Sequence, residues 1–188
     1  NIQFLVDNWP ESSRQVDYDG SFPIHYLCRN QELSETTKLD ILRILVDTNP
    51  DSLRGERSEI DGLPIHAASK YQSPAFNKIL VDAYPGSLRK ADKTGRIPFH
   101  VACEGGAIDT VKFLFSADPQ SIEEKNGHGF YPLHVAMGSG GIRSAERERG
   151  HVAQQSTVVQ CLLEIDPSSV SRPASTALQG HSNHTGYL

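Results

Sequence analysis

The chain has 188 residues, 37% of them hydrophobic and 22% charged, and a net charge of −5. That length admits one or two domains or a single array, and the acidic balance argues against a general nucleic-acid binder, which carries a basic surplus. No apolar run approaches the roughly 18 residues needed to span a membrane, and no signal peptide is visible.

Asn1–Pro10 reads as the end of a helix, because Ile2, Leu5 and Val6 fall at i, i+3 and i+4, on one helical face. The same face, apolar apart from Asn77, returns before each later proline: Leu42, Leu45 and Val46; Asn77, Leu80 and Val81; Val111, Leu114 and Phe115; Val159, Leu162 and Leu163. An apolar face at the start of an array lacks the polar cap that terminal repeats need. Residues 1–14 are therefore expected to close a preceding repeat, with the chain cut from a longer array.

Two landmarks then recur in phase. Pro-apolar-His appears as Pro23-Ile24-His25, Pro64-Ile65-His66, Pro98-Phe99-His100 and Pro132-Leu133-His134, with histidines 41, 34 and 34 residues apart. Pro-x-Ser appears at Pro10/Ser12, Pro50/Ser52, Pro85/Ser87, Pro119/Ser121 and Pro167/Ser169. A fixed period of this size marks a repeat architecture. The units run over 15–54, 55–89, 90–123 and 124–170. The first gains 6 residues and the fourth 14, the latter within 138–155.

Each unit reads as turn, short helix, loop, longer helix. Glycine in the turn (Gly20, Gly62, Gly95, Gly129) tolerates positive φ. Proline opens the first helix, where its missing N–H would be unpaired anyway. The second helix stops near the next proline, which disfavours helix in the residue before it. Gly138-Ser139-Gly140-Gly141 opens the long insertion, which reads as a solvated loop. The polar stretch 171–188 reads as a flexible or loosely docked tail.

The period together with Gly-x-x-Pro-apolar-His resembles the ankyrin repeat over roughly residues 1–170. The resemblance implies an all-α fold, a solenoid of stacked helix-turn-helix units with hairpin-like turns. It also implies a non-enzymatic scaffold that binds other proteins and needs no cofactor, monomeric as a segment. The alternative is a recognition segment of a larger protein whose enzyme, kinase or channel domain lies outside these residues. One departure is systematic: the family's threonine before the proline is replaced by Phe22, Leu63, Ile97 and Tyr131. Its hydroxyl bond to the histidine is then missing, and apolar packing between units is expected instead. Recognition in the family uses the turn tips and the exposed side of the first helices. Carried onto this chain, those positions are Tyr18, Ser21, Arg29, Glu59, Lys70, Tyr71, Lys93, Arg96, Glu104, His128 and Phe130, with aromatic residues and arginine the best anchors.

The remaining chemistry reads as structural. Four of the eight histidines are the repeat histidines, and His181 and His184 lie in the polar tail without a third ligand. Cys28 and Cys103 share one repeat position with Ser69 and Met137, a small buried site; with Cys161 they fit a reduced intracellular setting, cytoplasmic or nuclear. No phosphate loop or nucleophile elbow is present. An acid three before the landmark proline (Asp7, Asp47, Asp82, Glu164) accompanies an arginine four after it (Arg14, Arg54, Arg89). Either each acid pairs with the arginine just beyond its own helix, as Asp82 with Arg89, or with that of an adjacent unit, or they form an ordinary solvated face.

Overall fold

The computed structural model describes Asn8 and residues 10–55, 62–138 and 149–173. The truncated first helix, Glu59, most of the 138–155 insertion and the end of the 171–188 tail lie outside the described residues. Within them the chain is all-helical: eight α-helices, short 3-10 helices and no strand. The helices are α1 (Pro23–Arg29), α2 (Glu35–Thr48), α3 (Pro64–Tyr71), α4 (Pro74–Ala83), α5 (Pro98–Gly105), α6 (Ile108–Ala117), α7 (Pro132–Ala136) and α8 (Arg149–Ile165). None is long and apolar enough to cross a membrane.

Proline sets both ends of the pattern. Pro23, Pro64, Pro98 and Pro132 each start a helix, and the residue ahead of each is extended, with ψ between 158° and 163°. At the other end, Asn49, Tyr84, Asp118 and Asp166 leave the helix just before a proline that opens a 3-10 helix. The serine of Pro-x-Ser closes that bend. The hydroxyls of Ser52, Ser87, Ser121 and Ser169 donate to the carbonyls of Asn49, Tyr84, Asp118 and Asp166, each at 2.6 Å. The backbone N–H of each serine reaches the same carbonyl at 3.0–3.2 Å. All four serines are buried, where an unmade bond is costly. Ser87→Ala is therefore expected to lower stability by about 1 kcal/mol in urea unfolding. No measurable loss would mean that the backbone bond alone holds the bend.

The helices pack in series. α1 lies on α3, α3 on α5 and α5 on α7; in parallel, α2 lies on α4, α4 on α6 and α6 on α8. Each first helix also packs on its own second helix. Leu45, Leu80, Leu114 and Leu162, five residues before successive prolines, are all buried. Ile24, Leu42 and Phe76 belong to one buried cluster, Phe99, Val111 and Val158 to another, and Leu88 packs against both. Each such side chain contributes about 1.5–3 kcal/mol when withdrawn from water.

Polar side chains fasten the connections inside this core. Asn77 occupies a column that is otherwise apolar and is fully buried. Its amide donates to the carbonyls of Ala68, Gln72 and Ser73 at 3.2, 3.3 and 3.0 Å. Gln72 donates to the carbonyls of Cys28 and Asn30, accepts from Lys38 Nζ at 2.7 Å, and through its own carbonyl accepts from the Thr110 hydroxyl. One side chain and its backbone thus tie three successive units together.

Cys28 and Cys103 are fully buried at the same repeat position as Ser69, and burial pushes both thiols well above the usual range. Met137 departs from that series and is 64% exposed. The reason is local: α7 ends at Ala136, and Gly138 follows with φ +84°. Met137 therefore sits past the helix end.

Candidate interaction surface

Three turns are built alike. Asp17, Asp92 and Asn126 each lie eight residues before a repeat histidine. The Oδ1 of each accepts two backbone N–H groups, from Asp19 and Ser21, from Thr94 and Arg96, and from His128 and Phe130, at 2.8–3.0 Å. A backbone pair such as Asp92 N–H to Arg96 O (2.9 Å) and a left-handed glycine complete each hairpin. This is a side-chain-closed turn, the local role that suits Asp and Asn.

The histidines join one unit to the next. His25 Nδ1 accepts the Phe22 N–H at 3.1 Å, and His66 Nδ1 accepts the Leu63 N–H at 3.1 Å. Backbone thus supplies what a threonine hydroxyl would have supplied in these two units. Nε2 then faces carbonyls of the following unit: Gly55 for His25 (3.1 Å), Lys90 and Arg96 for His66 (3.0 and 3.1 Å), Phe130 for His100 (3.3 Å). Carbonyls only accept, so the proton sits on Nε2, and where Nδ1 accepts an N–H the ring is neutral; His66 Nδ1 also lies 3.3 Å from the Leu63 carbonyl, and there burial favours the neutral ring. Burial lowers the pKa of His66 and takes that of His100 down to about 4. Of the residues before the prolines, Leu63 and Ile97 are buried, and Phe22 and Tyr131 stack on His25 and His134 of their own units.

Of the positions carried over as a binding stripe, Tyr18 (97% exposed), Tyr71 (41%), Arg29, Lys93 and His128 present their side chains to solvent. Phe130 is half-buried between His128 and His134, with ring centroids at 6.4 and 6.1 Å. Lys70, Tyr71, Arg96 and Glu104 come together. Lys70 Nζ lies 5.6 Å over the Tyr71 ring and 3.3 Å from Glu104, and Glu104 is 2.6 Å from Arg96 NH1. Two positions need correction as surface residues. Ser21 is buried because its N–H is folded back onto Asp17. Arg96 holds its own turn: its Nε and NH2 reach Asp92 Oδ2 at 2.9 and 2.8 Å, and the side chain is only 15% exposed. Burial tends to raise the Asp92 pKa, but the Arg96 and Thr94 donors outweigh it and hold the carboxyl below the ordinary value.

Tyr26 was missed by sequence reasoning. It is 59% exposed and its hydroxyl donates to Asp17. The signal was available: it follows the histidine, where the other units carry the buried aliphatics Ala67, Val101 and Val135.

The charge pattern pairs differently from expectation. Asp82 binds Lys78 one helical turn away, at 2.7 Å, and not Arg89. Arg89 reaches instead to Asp118 and Gln120 of the next unit and to Glu124, the first residue of the one after. Arg54 likewise leans over the Tyr84 ring of the next unit, at 5.0 Å, while Arg172 pairs with Asp166 and Glu123. The 3-10 helix carries Arg54 and Arg89 beyond their own α-helices, so each reaches the residue before the following proline, Tyr84 and Asp118, while Arg14 and Arg54 also pair with Glu11 and Asp51 three residues earlier.

Among the described residues no three His, Cys, Asp or Glu side chains cluster as a metal site. An open groove between the α3–α4 and α5–α6 connections has Asp109 as its one ionisable lining residue among the described residues. No protein-family model matches the chain, and no curated protein does.

Proposed function

We propose that this chain is a protein-binding module: an ankyrin-type solenoid of stacked helix-turn-helix units, non-enzymatic, that presents its turn tips and first helices to other proteins. The observation that carries the reading is the repetition of one joint, in which His25, His66 and His100 each reach a carbonyl of the following unit. Units joined in that way bury their apolar faces on one another and leave a long outer surface. Tyr18, Tyr71, Arg29, Lys93 and His128 are the exposed members of that surface, and exposed tyrosine and arginine are the side chains that contribute most at interfaces. The setting that fits the three buried free cysteines is intracellular.

The reading is tested by presenting the chain to a cell extract alongside a Tyr18→Ala/Tyr71→Ala variant. Both tyrosines are exposed, so the variant should keep the parent's helix content and urea midpoint. The expected result is that specifically captured proteins are lost. An unchanged set of captured proteins with the fold intact would remove the stripe as the binding surface.

A further inference from the structure

We infer that Asn126–Gly127, in the fourth turn, is a site of spontaneous deamidation that the contact with the third turn keeps closed. An asparagine followed by glycine has no side chain shielding the next backbone nitrogen. That nitrogen, once deprotonated by solvent base, can attack Asn126 Cγ. The Cγ–Nδ2 bond breaks and the amide nitrogen leaves as ammonia, giving a five-membered cyclic imide. Water then opens the ring. Attack at Cγ leaves aspartate on a normal backbone; attack at the main-chain carbonyl leaves isoaspartate, with the chain running through Cγ. No electron is transferred, and water is the only co-reactant.

The folded turn engages the nucleophile and leaves the departing group unheld. The Gly127 N–H donates to Thr94 O at 3.0 Å, and a Cβ built on Gly127 would lie 2.6 Å from that oxygen, so the two turns are in close contact. Asn126 Oδ1 is held by the N–H groups of His128 and Phe130. Asn126 Nδ2 is buried and has no hydrogen-bond partner among the described residues. In the third unit the matching oxygen of Asp92 is taken by Arg96, whereas the fourth unit has Phe130 at that place. The reaction is therefore gated by separation of the two turns. The two products have different fates. Aspartate keeps the turn, because Asp17 and Asp92 already close the same hairpin. Isoaspartate inserts a carbon into the main chain, shortens the side chain, and breaks the join to Thr94.

The test is site-resolved peptide mass mapping of the full chain after incubation at mildly alkaline pH, with isoaspartate separated chromatographically. In native buffer, conversion at Asn126 should be at least about tenfold slower than in denaturant, the protection expected of a closed local structure. Below the unfolding midpoint, added urea should raise the rate in step with hydrogen exchange at the Gly127 amide. A native rate equal to that of the unfolded chain, or one indifferent to opening at Gly127, would overturn the inference.

Discussion

Gly95→Ala should destabilise the chain by about 2–4 kcal/mol, the sum of backbone strain and overpacking, and should release the fourth unit first. Gly95 has φ +75°, a region that side-chain-bearing residues rarely adopt. A Cβ there would also lie 2.3 Å from Gly127 N and 2.6 Å from Gly127 Cα, both backbone atoms that cannot rotate aside. Gly20 provides the control. It has nearly the same φ, +77°, but its Cβ would meet nothing within 4 Å. Gly20→Ala should therefore cost only the conformational part, about 1–2 kcal/mol. Urea unfolding of the two variants measures the difference directly. Equal losses would show that the turns of the third and fourth units do not touch in solution.

Acid should unfold the chain through His66 and His100 before it reaches the carboxylates. The folded pKa of His100 is about 4 against an ordinary 6.5, so the unfolded chain takes up a proton that the folded chain refuses. The stabilisation is complete above pH 6.5 and is lost as pH falls toward 4, to a total of about 3 kcal/mol. His66 is shifted in the same direction for the same reason, burial of the ring. Asp92, whose folded pKa is lowered, loses its contribution only at still lower pH. Urea midpoints measured from pH 7.5 to 4 should fall steeply across this window. His100→Gln should start less stable and show a shallower fall. A parent chain with a flat profile between pH 6.5 and 4.5 would contradict the buried, neutral rings.

Much of this architecture could be read from spacing. Proline in phase with histidine located the first helices, and the leucine five before the next proline marked the buried face of each second helix. What could not be read was the purpose of side chains whose partners lie in another unit. The serine of Pro-x-Ser was visible as a pattern, but the reason for it is a carbonyl three residues earlier that becomes available only once the helix bends. Arg89 was matched with Asp82 because they are close in sequence; folding points it at Asp118, 29 residues away. The ankyrin resemblance places Arg96 and Ser21 on the surface, as turn-tip positions. Both are drawn inward by an aspartate in the turn, half-buried Asp17 for Ser21 and buried Asp92 for Arg96, at a position that recurs as Asn126 and carries its own signal. Asn77 interrupts an otherwise apolar column, and folding brings its amide within 3.0–3.3 Å of three carbonyls at the α3–α4 connection.

The equivalence of successive units rests most heavily on the imidazoles, and long-range proton–nitrogen NMR of the histidine side chains at pH 7 tests it directly. His25, His66 and His100 should share one tautomer, protonated at Nε2 and bare at Nδ1, with slowly exchanging Nε2 protons bonded to the next unit. Rings that average rapidly between tautomers, or that carry the proton on Nδ1, would contradict the joint on which the stacking depends.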